Sequence, residues 1–344
     1  MSLVVLQTGL LDTVQDVGRF GYQHLGVGPA GPADPLSHRL ANLLVGNAGG
    51  EAALEVTLRG PTLRLEADAV VAFAGAPFPL TVDGRRLPRS RTLVLRAGAC
   101  LAIGAAAEGL RGYLAVAGGL AVPEALGSAA TDLRGGFGGL GGRPLRNGDR
   151  LPLNAPGPAP AALLAGLRRT TGAGLAARWG LPWSGPLPGP RRYGPLGLIP
   201  GPHWDLLDEA SRASLLRDPF RVGAASDRMG LRLQGPALRL EPRSELLSSA
   251  VATGTLQLPP DGQPILLLAD RQTTGGYPRL GELATVDLPF AAQARPGDPL
   301  RFRRVEFEEA RRDLRRQERD LAFLGGRLRA EFLQGVGMGP CDRV

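Results

Sequence analysis

The chain has 344 residues, 43% of them hydrophobic, which is length and apolar mass enough for two ordinary domains with buried cores. Its formal charge of +8 is carried by arginine alone, since no lysine occurs anywhere, and this excludes a Schiff base, a carried biotinyl-lysine and a lysine-based phosphate clamp. The arginines are scattered among acids without a dense basic block or an aromatic stacking platform, so no nucleic-acid partner is expected.

Fifty glycines and 31 prolines with only 5% aromatic residues predict many short strands joined by tight turns, a mainly β fold. Residues 1–153 read as strands, with "TLRLEADAVVAFAG" and "RTLVLRAGACLAI" running apolar over strand lengths and "VDG" supplying a hairpin signal between them. One helix interrupts them. Asp34 suits its N-cap, Pro35 its first position, Leu36, Leu40, Leu43 and Leu44 share a face, and Gly46 can close it.

The stretch 154–202, rich in Pro and Gly, predicts a linker with at most a short helix around Ala161 to Leu167. Asp205 to Leu216 then reads as a short amphipathic helix, and strands resume at "LRLQGPALRLE", "TLQL", "PILLLA" and "DPLRFRRV", giving a second strand-rich domain over 203–305. A C-terminal helix is expected over 306–334, with Phe307, Ala310, Leu314, Gln317, Leu321, Leu324 and Leu328 at spacings of three and four until Gly325–Gly326 interrupts it. "GPTLRLE" returns as "GPALRLE" and "NGDRLPL" as "PGDPLRF" in the same order, as a duplicated pair of β-barrels would produce.

Cys100 and Cys341 lie far apart and match neither a disulfide framework nor a metal knuckle, so a reducing cytoplasm is the expected compartment. The start "MSLVVLQTGLLDTVQD" has no basic n-region or cleavage site and nowhere do 18 apolar residues run uninterrupted, so an unexported protein without membrane association is expected. His24, His38 and His203 show no zinc-ligand spacing, and no metal is expected.

Candidate chemistry gathers in glycine-punctuated stretches. "TVQDVGRFGYQHLGV" crowds Gln15, Asp16, Arg19 and His24 together; β-turns explain Asp16 and the glycines but do not call for Gln15 and Arg19 beside them. "ALEVTLRGP" places Glu55 in an apolar strand, and "SDRMG" sets Asp227 beside Arg228. Strands ending in Gln257 and leading into "ADRQTTGGYPRLG" bring Gln257, Asp270, Gln272, Thr273 and Thr274 to one rim, with Tyr277 packing on or capping it. Such groups suit an amide or lactam, because a glutamine side chain or a hydroxyl both donates to a carbonyl and accepts from an N–H. No self-sufficient hydrolase can be assembled from these residues, which points to a site completed by another protein chain. His24, Asp16, Asp270 and Glu55 all stand as candidates for the general base.

Six of these motifs, "TVQDVGRFGYQHLGV", "GPADPLSHRLANLLVGN", "RGYLAVAGGL", "LGSAATDLRGGFGGLGGRPLRNGD", "SDRMGLRL" and "GQPILLLADRQTTGGYPRLGELATVDLPFAAQARPGD", resemble the biotin-dependent carboxyltransferase family that includes KipA and 5-oxoprolinase C subunits. The resemblance spans about residues 3–305. It implies two cyclophilin-like β-barrels working with a KipI-like B subunit. With a lactam-utilisation A subunit, such a complex opens 5-oxoproline to glutamate at the expense of ATP. Two other roles exist in the family: carboxyl transfer from biotin to urea or another amide, and non-catalytic binding of a KipI-like kinase inhibitor. In the first role Gln257, Thr273 and Thr274 are expected to hold the substrate beside Asp270, with Arg19 and Arg228 supplying positive charge. One departure is Ser248–Ala250, where the family pattern carries an acid.

Overall fold

The tightest turn written in the sequence is Asp83–Gly84, and the computed structural model gives both residues a positive φ, 49° and 79°. That geometry matches the right-handed twist of flanking strands, and it joins Leu80–Val82 to Arg85–Leu87 as a hairpin. The structure describes residues 1–167, 174–178, 180–181, 194–240, 246–334 and 338–340. They fall into two compact units. The first comprises Met1–Gly18, Asp34–Pro188 and Leu321–Val344; the second comprises Arg19–Ala33 and Gly189–Asp320. The segment Arg19–Ala33 thus groups with the second unit although it lies within the N-terminal strands in sequence.

In the first unit, a six-stranded sheet runs in the order Arg150–Pro152, Ser2–Gln7, Thr62–Leu65, Cys100–Ile103, Leu80–Val82, Arg85–Leu87. A seven-stranded sheet follows the order Leu11–Gln15, Ala53–Thr57, Arg111–Val116, Ala69–Gly75, Leu93–Leu95, Gly174–Ala177, Met338–Pro340. Leu3, Leu63 and Leu101 from one sheet and Leu54, Val71, Phe73 and Leu114 from the other enclose the core. Each such side chain contributes about 1.5–3 kcal/mol on burial. Strand alternation sends Ala53, Ala72, Tyr113 and Ala115 to the opposite face, where α1 (Pro35–Leu44) packs through Leu40, Ala41 and Leu44.

Helix α1 starts as its sequence demands. Asp34 accepts from the Ser37 N–H at 2.9 Å, Pro35 takes the first turn, and Gly46 follows the C-cap at φ 78°. The Pro-rich stretch holds more order than expected. Helix α2 (Pro158–Leu167) begins before Ala161, and Gly174–Ala177 pairs with Leu93–Leu95. Proline at the first turn of a helix costs no hydrogen bond, so Pro158 and Pro160 do not oppose α2. Residues 168–173, 179 and 182–193 of that stretch lie outside the described residues.

The second unit is built on an eight-stranded sheet in the order Pro299–Leu300, Phe220–Val222, Gly230–Gln234, Ile265–Leu267, Thr255–Gln257, Arg279–Leu283, Leu196–Pro200, Phe302–Arg304. Among the described strands its one parallel pairing is Leu196–Pro200 with Phe302–Arg304. Leu231, Leu233, Leu256, Leu266 and Phe302 fill its core. The second half of "LRLQGPALRLE" is not a continuous strand among the described residues: between Gln234 and Leu240 only Leu240 bridges, to Leu207. Pro236 has no N–H to give a ladder, and Gly235 lies so close to the Phe220 ring that a Cβ would sit at 2.6 Å. The helix expected over Asp205 to Leu216 divides into a 3₁₀ turn, Trp204–Leu206, and α3 (Glu209–Arg217). Asp208 restarts the chain as an N-cap, accepting from Ser211 N–H at 2.6 Å.

Helix α4 (Leu288–Ala292) precedes the last strands, and α5 (Phe307–Gln334) runs through Gly325–Gly326 rather than ending there. Two glycines cost a helix roughly 2 kcal/mol. Burial of Leu321, Leu328 and Phe332 with α1 in the first unit offsets that cost, and Gly325 allows close approach to Leu43. In the second unit Ala310, near the start of α5, packs on Ala284 and Val305. The fold is mainly β, with few helices and a long C-terminal one. Among the described residues no helix is long and apolar enough to cross a membrane.

Candidate functional site

Alternation along the second sheet decides which side chains leave the core. Leu256 and Leu266 point inward, so Gln257 and Ile265 point outward, as does Arg232 between Leu231 and Leu233. Over this outward face folds the loop after Ile265–Leu267, held by a two-residue ladder in which Thr274 faces Ala250 and Gly275 faces Ser249. Gly275 lets the Gln257 amide pack against its backbone: a Cβ there would lie 2.6 Å from Gln257 Nε2 and displace that side chain.

The result is a groove of about 700 Å³, lined by Gln257, Gln272 and Tyr277 together with Met229, Arg232 and Ile265. Gln257 is buried. Its Oε1 accepts from Gln272 Nε2 at 3.2 Å, and its Nε2 donates weakly to the Tyr277 carbonyl at 3.4 Å. Gln272 is only half-buried, so its remaining N–H and its Oε1 face the groove as a donor and acceptor pair. Tyr277, 45% exposed, forms a side wall.

Asp270 and Arg228 are turned elsewhere. Arg228 Nε meets Asp270 Oδ2 at 2.8 Å and Nη2 meets Oδ1 at 3.0 Å, a buried bidentate pair, while Nη2 also donates to the Gly31 carbonyl at 2.7 Å. They clamp the segment Arg19–Ala33 to the second sheet, helped by packing of Ala33 on Ala269 and Ala292. Arg19 is buried within that segment, its N–H donating to the Pro29 carbonyl at 2.8 Å; His24 is exposed on a single 3₁₀ turn, Gln23–Leu25. Thr273 is buried, with its carbonyl accepting from Val251 N–H at 3.1 Å, and Thr274 is exposed. Between them and Asp270 lies Arg271, buried, with no acceptor at Nε or Nη1 among the described residues. Burial lowers its pKa, and only the charge of Glu282 opposes that.

Gln15, Asp16 and Glu55 lie in the first unit. Thr13, Glu55 and Tyr113 stand directly opposite one another on three adjacent strands, facing α1. Tyr113 OH donates to Glu55 Oε2 at 2.6 Å and accepts from Asp34 N–H at 2.8 Å, with the His38 ring edge-on at 5.7 Å. Burial, then the Glu55 charge, raises the Tyr113 pKa well above the ordinary phenol. Burial pushes the His38 imidazole below its ordinary value, opposed by the Gln15 carbonyl and the Asp16 and Glu55 charges. Gln15 Nε2 donates to Thr13 Oγ1 at 3.1 Å and Thr131 O at 3.3 Å, while its Oε1 has no donor among the described residues. Asp16 accepts from Gly18 N–H at 2.9 Å, Ser128 Oγ at 2.5 Å and Ala129 N–H at 2.6 Å, which fixes the 128–130 loop.

Of the predicted site residues, Gln257 and Tyr277 line this open groove of the second unit, and the others are not among its lining residues. Gln272 gains weight from its position, and Arg232 and Met229 were not singled out from sequence. The signal for Arg232 was register, an outward position between Leu231 and Leu233 on a strand, whereas Met229 sits in the bend just before that strand and carried no such signal.

A profile of the carboxyltransferase domain, subdomain A and B, matches residues 25–304. The chain is 36% identical over 329 residues to the C subunit of 5-oxoprolinase from Escherichia coli, covering 96% of this chain and 99% of that protein. It is 29% identical to urea amidolyase of Saccharomyces cerevisiae over 90% of this chain but 17% of the longer enzyme. Among solved structures, TTHA0988 superposes with a TM-score of 0.74 at 39% identity; the match covers 88% of this chain and spans 55% of that one. The K. lactis urea amidolyase superposes with a TM-score of 0.82 at 30% identity, over 94% of this chain and 20% of that one. End-to-end similarity, the six motifs and the mainly β fold agree: the chain belongs to the carboxyltransferase domain family, subdomains A and B.

Proposed function

We propose that this chain is the C subunit of a 5-oxoprolinase, opening the lactam 5-oxoproline to L-glutamate together with a KipI-like B subunit and a lactam-utilisation A subunit. The observation that carries this reading is coverage. The chain matches 99% of the E. coli 5-oxoprolinase C subunit, whereas it corresponds to only 17% of the yeast urea amidolyase.

The groove supports it chemically. A lactam presents an N–H beside a C=O, and Gln272, oriented by its bond to Gln257, offers an acceptor and a donor on one amide. A hydrogen bond to the carbonyl oxygen stabilises the charge that develops there as water attacks. ATP serves the assembled complex, but this groove does not fit a triphosphate. Its charged side chains are Arg232 against Asp227 and Asp261, too little positive charge for three phosphates. ATP therefore binds at other residues of the complex. The site of action is the cytoplasm.

The experiment is reconstitution of this chain with its two partner proteins, measuring glutamate release from 5-oxoproline with and without ATP. Turnover that needs all three proteins is expected. Absence of turnover, under conditions in which a reference complex is active, overturns the reading. A second reading, carboxyl transfer from biotin to urea or another amide, draws on the TM-score of 0.82 to the K. lactis enzyme. Biotin belongs to that reading alone. Carboxylation of urea by this chain with a biotin carrier, in place of lactam opening, would establish it.

A further inference from the structure

Arg232, Ile265 and Gln257 occupy one row across three neighbouring strands: Arg232 lies directly opposite Ile265, and Gln257 directly opposite Ile265 on the other side. All three line the groove. Two strand spacings separate the arginine from the glutamine, about 10 Å, with an apolar floor between them. Arg232 is exposed, and its guanidinium has no ion pair or hydrogen bond among the described residues. The groove's carboxylates are partly occupied by their own turns: Asp227 Oδ1 accepts from Met229 and Gly230 N–H at 2.7 and 3.3 Å, and Asp261 Oδ1 from Gln263 N–H at 3.0 Å.

We propose that Arg232 is the specificity residue of the groove, anchoring a carboxylate carried by the amide substrate, while Gln272, positioned by Gln257, reads the N–C=O group at the opposite end. The proposal rests on the reading that this groove receives the lactam. A five-membered lactam with a carboxylate on its ring spans the row: ring over Ile265, carboxylate on the guanidinium, amide at Gln272. Urea has no anionic end, so an arginine at this position gains nothing from it. The groove thus selects amino-acid-derived lactams over neutral amides.

The test compares 5-oxoproline with 2-pyrrolidinone, the same ring without the carboxylate, binding to the purified full chain by calorimetry. Wild type is expected to favour 5-oxoproline by about tenfold or more, as a charge-assisted contact supplies. Arg232→Gln abolishes that preference, leaving 2-pyrrolidinone binding unchanged, and Arg232→Lys restores part of it. In the reconstituted complex Arg232→Gln raises KM for 5-oxoproline with little change in kcat. Undiminished preference in Arg232→Gln, with lactam binding lost in Gln272→Ala, overturns the arginine's role and leaves the groove reading intact. Failure of wild type to bind either lactam, together with an inactive complex, overturns both.

Discussion

Both units bury charged groups, but they use them differently. In the first unit Glu55, Tyr113, Asp34 and His38 close on one another under α1, and Asp16 spends both oxygens on the 128–130 loop. In the second, the Arg228–Asp270 pair is equally closed, yet the glutamines above the sheet leave donor and acceptor capacity facing a 700 Å³ groove. A polar side chain whose partners are all supplied by its own fold has nothing left for a ligand. Position in a family motif does not separate these cases, because Asp270 and Gln272 are two residues apart in the same loop.

The contrast breaks most visibly at Asp270. Asp270→Ala leaves the Arg228 guanidinium buried without its carboxylate, and denaturant unfolding is expected to show a loss of about 3–5 kcal/mol. A mild stability effect with abolished turnover would instead place Asp270 in the chemistry.

Asp12 tests the first unit by pH. It is buried with Oδ1 lacking a donor, and burial, opposed by the Gly9 N–H and Arg59, raises its pKa to about 7. The folded state then holds a proton more tightly than the unfolded chain, so this stabilisation is full below about pH 4 and is lost as pH rises through about 7. The change is at most roughly 4 kcal/mol. Asp12→Asn should flatten that slope in thermal unfolding measured from pH 4 to 8, and an unchanged slope would remove Asp12 as its source.

At the groove, Gln272→Ala should lower kcat/KM of the assembled complex by roughly ten- to a hundredfold, equal to about 1–3 kcal/mol, with stability changed by less than about 0.5 kcal/mol. The smallest effect is expected at Thr274. Its side chain is exposed on the ladder to Ala250, so Thr274→Val should change neither unfolding nor turnover measurably. A large loss of activity there would extend the site beyond the groove.

Local chemistry was legible where neighbours in sequence decide the structure. Asp34 and Pro35 set the start of α1, Asp83–Gly84 makes its hairpin, and the alternation around Leu256 turned Gln257 out of the core. Composition alone pointed to a strand-rich chain, and glutamine and threonine side chains at strand ends, Gln257, Gln272, Thr273 and Thr274, led to the expectation of an amide ligand.

Tertiary structure decided the rest. Arg228 meets Asp270 across 42 positions and Tyr113 meets Glu55 across 58, distances over which no periodicity carries information. Burial against α1 carries α5 through Gly325–Gly326, overriding a local penalty of roughly 2 kcal/mol. Pairing register put Arg232 and Gln257 either side of Ile265, although 25 positions separate them in the chain. The sequence supplied side chains able to bind an amide; which of them keep a free donor or acceptor depends on partners that only folding brings within hydrogen-bonding reach.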